Sequence, residues 1–226
     1  DVKNVIIEND DKNKIINIYV EEKPTGEIAA GAGYGTDGST IFFAISENNY
    51  LGRGIDLDTN LELSPQSIKG VFRTTNPNFR NTDNSLSFSL EADEVDQLTN
   101  FGYKSNKTGF SISTKFEYFD DLFFGLGTSS FYEKIETDSS ASARQKKQEG
   151  DYFDTFVNLD FIQDKRNQKF KTSDGYLSNY FVNIPVLSSN YSLTSGYTYK
   201  YYSELYENNI STIGFSIKGA NSLTNK

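Results

Sequence analysis

A glycine-rich stretch near the start of the chain is the first candidate for a chemical site. It reads EKPTGEIAAGAGYGTDGST from Glu22 to Thr40. A dinucleotide-binding loop requires G-x-G-x-x-G at the opening of a helix inside a βαβ unit. Here Gly31, Gly33 and Gly35 are spaced by two, and TDGSTIFFAI follows, which predicts a turn and another strand. We therefore expect no cofactor at this stretch.

An acidic series in GIDLDTNLELS is the second candidate. Asp56, Asp58 and Asn60 have the spacing of the first ligands of a calcium-binding loop. Such a loop requires glycine at its sixth position and glutamate at its twelfth, where this chain has Leu61 and Ser67. We expect no metal site here and interpret the series as the polar face of a strand.

The absence of two residue types limits the remaining chemistry. The chain has no His and no Cys, which excludes Ser-His and Cys-His nucleophiles, imidazole or thiolate metal ligands, and disulfides. Carboxylates are plentiful, but the sequence brings no two of them together at a site. We expect a protein that is not an enzyme, although a carboxylate hydrolase inside a barrel stays open as an alternative.

Composition narrows the class of protein further. The formal net charge is −9, which argues against nucleic acid as a partner because no basic patch offsets phosphate repulsion. The 15 Tyr and 18 Phe indicate a folded chain, since disordered chains are poor in aromatic residues. No segment approaches the roughly 18 apolar residues of a membrane helix. A helical membrane protein is therefore excluded.

Alternation of apolar and polar residues with period two is the strongest pattern in the chain. It predicts an all-β fold with about eleven strands after Pro24, many of them near the ~9–11 residues that cross a bilayer as a tilted strand. A long polar insert, ETDSSASARQKKQEG, is interpreted as a surface loop. The alternation predicts that the following side chains share one apolar face: Ile41, Phe43, Ile45, Leu57, Leu61, Phe88, Leu90, Phe215 and Ile217.

Two architectures share this alternation: a soluble sandwich, whose apolar face meets a second sheet, and a membrane barrel, whose apolar face meets lipid. The length of the strands and the full charges on their polar face favour the barrel. Aromatic residues near predicted strand ends favour it too, because they could form interfacial girdles. The candidates for these girdles are Tyr34, Tyr50, Tyr118, Phe119, Phe131, Tyr132, Tyr152 and Phe153.

Several motifs, taken in order, carry a resemblance to a known family. VEEKPTGEIAAGAGYGTDGSTIFFAISENNYLGRGIDL resembles the junction between the last POTRA module and the barrel in the BamA family of outer-membrane protein assembly factors. T-N-P-x-F at 75–79, Asp164 with Arg166, and TSDG at 172–175 resemble later family motifs. The junction patterns V-x-E-x-x-T-G, G-x-G-Y-G and N-x-L-G-x-G match at Val20, Glu22, Thr25, Gly26, Gly31, Gly33, Tyr34, Gly35, Asn49, Leu51, Gly52 and Gly54.

The resemblance implies an antiparallel transmembrane β-barrel of sixteen strands, of which this chain would supply about eleven. Residues 1–23 would be the C-terminal remnant of the last POTRA module, and residues 24–226 the N-terminal part of the barrel domain. The first residues, DVKNVIIEND, have no signal-peptide pattern, and the closing strands of the family are missing. We therefore expect a fragment of a longer protein.

The resemblance also implies a function: folding and inserting β-barrel proteins into the bacterial outer membrane, in which the chain would be integral. The implied partners are unfolded outer-membrane β-barrel clients, accessory assembly lipoproteins and outer-membrane lipid. A related secretion translocator or a passive pore stays open, as do glycines that serve curvature only. The implied lateral-gate edge for client strands is Gly26, Glu27, Ile28, Ala29, Ala30, Gly31, Ala32, Gly33, Tyr34 and Gly35.

Overall fold

A computed structural model of the chain describes residues 2–10, 13–21, 23–35, 38–168, 171–189, 191–207 and 209–223. Glu22 of the quoted junction motif lies outside the described residues. A hairpin of β1 (Val2–Asp10) and β2 (Asn13–Val20) forms a sheet of its own. Its predicted origin in a POTRA module stays a prediction.

A second sheet contains eleven antiparallel strands, each hydrogen-bonded to its neighbours in chain order. This sheet confirms the predicted fold class and strand number. It is open, with β3 and β13 at its two edges. The strands are β3 (Gly26–Gly35), β4 (Gly38–Glu47), β5 (Asp56–Ser64), β6 (Ser67–Asn76), β7 (Ser85–Gln97), β8 (Tyr103–Phe119), β9 (Leu122–Thr137), β10 (Gly150–Asp164), β11 (Gly175–Leu187), β12 (Ser192–Tyr206) and β13 (Asn209–Ser222).

Helical structure is confined to short connections. The described helices are α1 (Leu98–Phe101) and α2 (Ala143–Lys146), with 3₁₀ turns at Tyr50–Gly52 and Phe79–Asn81. In the described part of the chain, no helix has the length and apolar character needed to cross a membrane. The predicted polar insert is a loop that contains α2, whose first turn is closed by a capping box between Ser142 and Gln145.

The two faces of the large sheet differ in polarity, as the alternation predicts. Cross-strand registers place all nine predicted apolar side chains on one face. A cavity on the other face is walled by residues from β6 to β11, including Arg73, Ser111, Asn158 and Asn183. Since residues so far apart in the sheet can share a cavity only around a curved surface, the polar face is concave and the apolar face is convex.

No second layer of structure covers the apolar convex face. Ala141, which lies in a loop and is 7% exposed, is the one residue that forms a buried hydrophobic core among those described. Large apolar side chains such as Ile41, Phe43, Leu90 and Ile217 stay exposed on the convex face. A soluble sandwich would bury these side chains against another sheet, so the sandwich interpretation is wrong.

A row of aromatic rings crosses the convex face. Ring centroids are 5.5 Å apart between Phe116 and Phe124, 5.2 Å between Phe124 and Phe161, and 6.3 Å between Phe161 and Tyr180. Each of these pairs is also a cross-strand pair, so the row runs from β8 to β11. Aromatic girdles of this kind flank the apolar band of membrane barrels.

The predicted girdle residues are only partly confirmed. Tyr34, Tyr132 and Phe153 lie on the convex face, whereas Phe131 and Tyr152 lie on the concave face opposite polar residues. That part of the prediction is wrong, because consecutive aromatics at 131–132 and 152–153 give no alternation to follow. The remaining candidates lie in a turn or at a register shift near a strand end: Tyr50, Tyr118 and Phe119.

Hydroxyl and amide groups on the concave face bond to one another across strands. The Oγ atoms of Ser89 and Ser111 are 2.8 Å apart, and Asn158 Nδ2 donates to Asn183 Oδ1 at 2.9 Å. The groups in these two pairs satisfy each other and make this part of the concave wall polar. This polarity is typical of a barrel interior.

Charges on the concave face alternate in sign across five strands. Glu62, Lys69, Asp93, Lys107 and Glu133 stand opposite one another in turn from β5 to β9. Cross-strand pairs of opposite charge contribute about 0.2–1 kcal/mol each, and like charges placed opposite are unfavourable. The row therefore favours the observed register of these strands.

Candidate functional site

The candidate site is the free edge of β3. This strand pairs with β4 along its whole length, from Gly26 opposite Glu47 to Gly35 opposite Gly38. No strand in the described part of the chain pairs with its other edge. All ten residues of the predicted client-pairing segment lie in this one strand.

Only half of the β3 residues direct their backbone groups to the free edge. Asn48 N–H donates to Thr25 C=O at 3.4 Å, just beyond the paired region and in the same register. Antiparallel pairs alternate between hydrogen-bonded and non-hydrogen-bonded, so the odd-numbered residues of β3 bond to β4. The residues that direct N–H and C=O away from β4 are Gly26, Ile28, Ala30, Ala32 and Tyr34.

The four of these residues that have a side chain, all except Gly26, place it on the convex face. Ile28 and Tyr34 are 72% and 89% exposed there, and Ala30 and Ala32 lie between them. The odd-numbered residues, which face the concave side, carry one charge at Glu27 and no side chain larger than a methyl group beyond it. The free edge is thus apolar on the convex side and nearly bare on the concave side.

Two glycines of β3 lie where side chains of β4 occupy the space that a Cβ would need. A Cβ at Gly31 would lie 2.3 Å from Phe42 Cε1, and a Cβ at Gly26 would lie 2.5 Å from Glu47 Oε2. At Gly33 and Gly35 an added Cβ would meet no atom within 4 Å. Side chains of β4 thus fill the space beside Gly26 and Gly31 and leave the space beside Gly33 and Gly35 empty.

Glu47 joins the start of β3 to the turn that follows β4. Its carboxylate accepts hydrogen bonds from Thr25 Oγ1 and, at 2.8 Å, from Asn49 N–H. Asn49 Oδ1 in turn accepts from Gly54 N–H at 2.6 Å. Sequence reasoning missed Phe42 and Glu47, although both stand in the strand adjacent to the glycine-rich segment.

Asp164 and Arg166, which resemble one of the later family motifs, pair with each other at the end of β10. Arg166 donates from Nε and Nη2 to the two carboxylate oxygens of Asp164, at 2.7 and 2.6 Å, and this pairing raises the pKa of Arg166. Lys165 Nζ reaches Asp121 Oδ2 at 2.7 Å, which raises the pKa of Lys165. The end of β10 is thereby tied to the connection between β8 and β9.

The acidic series considered as a calcium loop is a strand face. Asp56, Asp58 and Asn60 alternate along β5 and stand opposite Thr75, Arg73 and Val71 of β6. Among the described residues, no three His, Cys, Asp or Glu side chains are grouped so that they could hold a metal ion.

A single antiparallel sheet that is apolar outside and polar inside defines the class of transmembrane β-barrel proteins. The Omp85 superfamily domain matches residues 49–226, and the chain therefore belongs to the Omp85 superfamily. Proteins of this superfamily are outer-membrane β-barrels, so the outer membrane is the location of this chain.

Two individual proteins illustrate the similarity. Outer membrane protein assembly factor BamA of Neorickettsia risticii (strain Illinois) is 25% identical over 169 residues, covering 74% of this chain and 23% of that protein. The crystal structure of BamA from Haemophilus ducreyi lacking POTRA domains 1–3 matches with a TM-score of 0.69 at 20% identity, over 98% of this chain and 47% of that one. The chain thus spans about a quarter of its curated relative.

Proposed function

We propose that the full-length protein containing this chain folds and inserts β-barrel proteins into the outer membrane. The observation that carries the proposal is the glycine- and alanine-rich composition of β3, the first strand of the sheet, whose residues Gly26, Ile28, Ala30, Ala32 and Tyr34 direct their backbone groups away from β4. The assembly factor similar to this chain supports it.

The physics of the bilayer explains why such an edge would attract a client strand. An unpaired backbone N–H or C=O costs several kcal/mol in lipid, and membrane sheets therefore close. A strand added to the edge of β3 would satisfy those groups through backbone hydrogen bonds, which tolerate many sequences. The small side chains of Ala30 and Ala32 leave the approach to this edge open.

The proposed partners are unfolded outer-membrane β-barrel clients, accessory assembly lipoproteins and outer-membrane lipid. The role is one of binding and insertion, without catalysis and without a cofactor. Lipid would contact the convex face, where Ile41, Phe43 and Ile217 are exposed.

Proline substitutions test the two edges of β3 separately. Proline lacks the N–H donor but is tolerated on edge strands. Ala30→Pro removes a donor directed to the free edge, whereas Ala29→Pro removes one that bonds to β4. We expect Ala30→Pro in the full-length protein to leave the barrel folded and to slow client insertion into proteoliposomes by about tenfold, as one lost hydrogen bond implies. Ala29→Pro should instead destabilise the barrel.

Crosslinking tests contact with the client directly. Cysteine at Ile28 or Ala32 should form a disulfide with a cysteine in the last strand of a stalled client, and the chain has no other Cys to compete. Normal insertion by Ala30→Pro together with no crosslink would refute the proposal. Stable, ion-selective currents in planar bilayers, without client insertion, would favour the passive pore.

A further inference from the structure

The spacing of glycines in β3 has a consequence for its pairing with β4. Register is weakly specified in glycine-rich strands, because few side chains fix the position of one strand against the next. In β3 the odd-numbered residues from Ala29 to Gly35 carry at most a methyl group. Among the described residues, the side-chain contacts that favour the observed register are the ring of Phe42 above Gly31, Glu47 beside Gly26 and Thr25, and a 3.4 Å hydrogen bond from Asn48 Nδ2 to Thr25 C=O.

A shift of two residues keeps every side chain on its own face, and the shift can occur in either direction. In one direction Phe42 would stand opposite Ala29, whose Cβ would take the place that is 2.3 Å from the ring at Gly31. That register is disfavoured, because the ring of Phe42 would have to move away from the Cβ of Ala29. In the other direction Phe42 would stand opposite Gly33, and glycine again leaves room for the ring.

The permitted shift is also acceptable elsewhere along the pair. Tyr34, which now stands opposite Ser39, would stand opposite Ile41 on the convex face and form an apolar pair. The paired ends would be Gly35 and Thr40, so the connection between them would grow from two residues to four, a common hairpin length.

The contacts of Glu47 are what the shifted register would lose. Ile28 would replace Gly26 opposite Glu47, which places an apolar side chain beside the carboxylate. Thr25 Oγ1 would move about 6.8 Å away, two residue steps along an antiparallel strand. Glu47 therefore holds β3 in the observed register, whereas Phe42 fits both registers.

We propose that β3 has two registers against β4, two residues apart, and that Glu47 with Thr25 is the latch that selects the observed one. Glu47 is a positioning residue. The ring of Phe42 packs over Gly31 in the observed register and over Gly33 in the shifted one. The shift would move all the backbone N–H and C=O groups that β3 directs away from β4 by two residues along the strand. The two registers do not depend on the proposed function, because they follow from the β3–β4 pair alone.

Disulfide trapping in the full-length protein distinguishes the two registers. Ala32 and Ile41 are directly opposite in a non-hydrogen-bonded pair, where Cα atoms lie about 4.5 Å apart, so Ala32→Cys with Ile41→Cys reports the observed register. Ala32→Cys with Phe43→Cys reports the shifted one, since diagonal neighbours about 7–8 Å apart are too distant to bridge.

We expect Glu47→Ala to raise the yield of the 32–43 disulfide about tenfold, as expected when one hydrogen bond no longer favours the observed register. Glu47→Gln, which keeps an acceptor oxygen, should give the wild-type ratio of the two disulfides. Thr25→Val is the milder second variant and should raise the yield in the same direction.

Gly33→Val is the decisive control. In the observed register position 33 is open to solvent, whereas in the shifted register a valine would collide with Phe42. Adding Gly33→Val to Glu47→Ala should therefore return the 32–43 disulfide to its wild-type yield. An unchanged yield in both Glu47→Ala and Thr25→Val, or a raised yield that Gly33→Val does not lower, would overturn the proposal. Client insertion is not part of this readout.

Discussion

The ring of Phe42 occupies the space that a side chain at Gly31 would need. A Cβ at that position would lie 2.3 Å from Cε1 and 2.6 Å from Cζ of the ring. Two residues further along the strand, Gly33 has no neighbour within 4 Å of the same point. The two glycines therefore differ in what they do, although the sequence presents them as equivalent.

Valine at each of these glycines should have a different effect on the barrel. Gly31→Val forces Phe42 to move, and overpacking of this kind costs about 1–3 kcal/mol. Gly33→Val meets no atom and should leave stability unchanged or slightly improved, because valine favours strands. The stability of both variants can be measured by heating the full-length barrel and recording the temperature at which its compact electrophoretic mobility is lost. Equal loss in the two variants would contradict this assignment.

Arginine on the two faces of β6 tests which face meets lipid. Val71 and Phe72 are 37% and 36% exposed, but Phe72 is on the convex face and Val71 on the concave face opposite Glu91. Phe72→Arg should destabilise the barrel by about 2–4 kcal/mol, the cost of a charge on the lipid face. Val71→Arg should cost far less. Urea unfolding in lipid vesicles measures the loss of stability in both variants. A larger loss in Val71→Arg than in Phe72→Arg would show that the concave face meets lipid.

The turn after β10 depends on the two-pronged pairing of Arg166 with Asp164, whose side chains are 18% and 13% exposed. Arg166→Lys keeps the charge but not the planar fork, so it should cost about 1–2 kcal/mol. Lys165→Ala removes the neighbouring exposed pair with Asp121 and should change stability little. Unfolding of the full-length protein in urea measures both variants. A larger effect from Lys165→Ala would show that the fork is not what stabilises the turn.

The loop after β9 should loosen in acid. Asp138 accepts hydrogen bonds from Ser140 Oγ at 2.6 Å and from Ser140 N–H at 2.7 Å, and these lower the pKa of Asp138. Because the folded pKa lies below the unfolded value of about 3.9, the stabilisation is present above that pH and is lost as pH falls through the folded pKa.

A nitroxide label at Ser139→Cys should therefore gain mobility only when the pH falls below about 3.9, the pKa of an unperturbed aspartate, because the lowered pKa keeps Asp138 ionised at that pH. Asp138→Ala is the matched control and should be mobile at every pH, since it removes the oxygen that accepts both hydrogen bonds from Ser140. If the mobility of the label does not change with pH while Asp138 is present, the role assigned to Asp138 is contradicted.

Much of the fold follows from the alternation of residue types. Phe88 and Ser89, for example, are assigned to opposite faces by sequence alone, and the registers confirm it. Alternation does not assign residues to a face where two consecutive residues are both aromatic. Phe131 lies on the concave face, where its ring covers Gly109 and receives Lys107 Nζ at 4.2 Å from its centroid. Only the cross-strand partners, which the sequence does not supply, explain that position.

The candidate site shows a similar limit. The glycine-rich segment was recognised as a strand edge, but the sequence does not say which of its residues direct backbone groups outward. That division depends on the pairing of Thr25 with Asn48, and the latch depends on a carboxylate that is more than twenty residues away from Thr25. One local signal was present and missed: Ser142 and Gln145 have the spacing of a capping box, and α2 begins there.

The paired hydroxyls and amides of the concave wall affect anything that slides past them. Ser89 with Ser111 and Asn158 with Asn183 satisfy one another, so a polypeptide at these four positions must break an existing hydrogen bond before it forms its own. We expect such an exchange to gain little free energy, and these pairs should therefore bind polar segments only weakly.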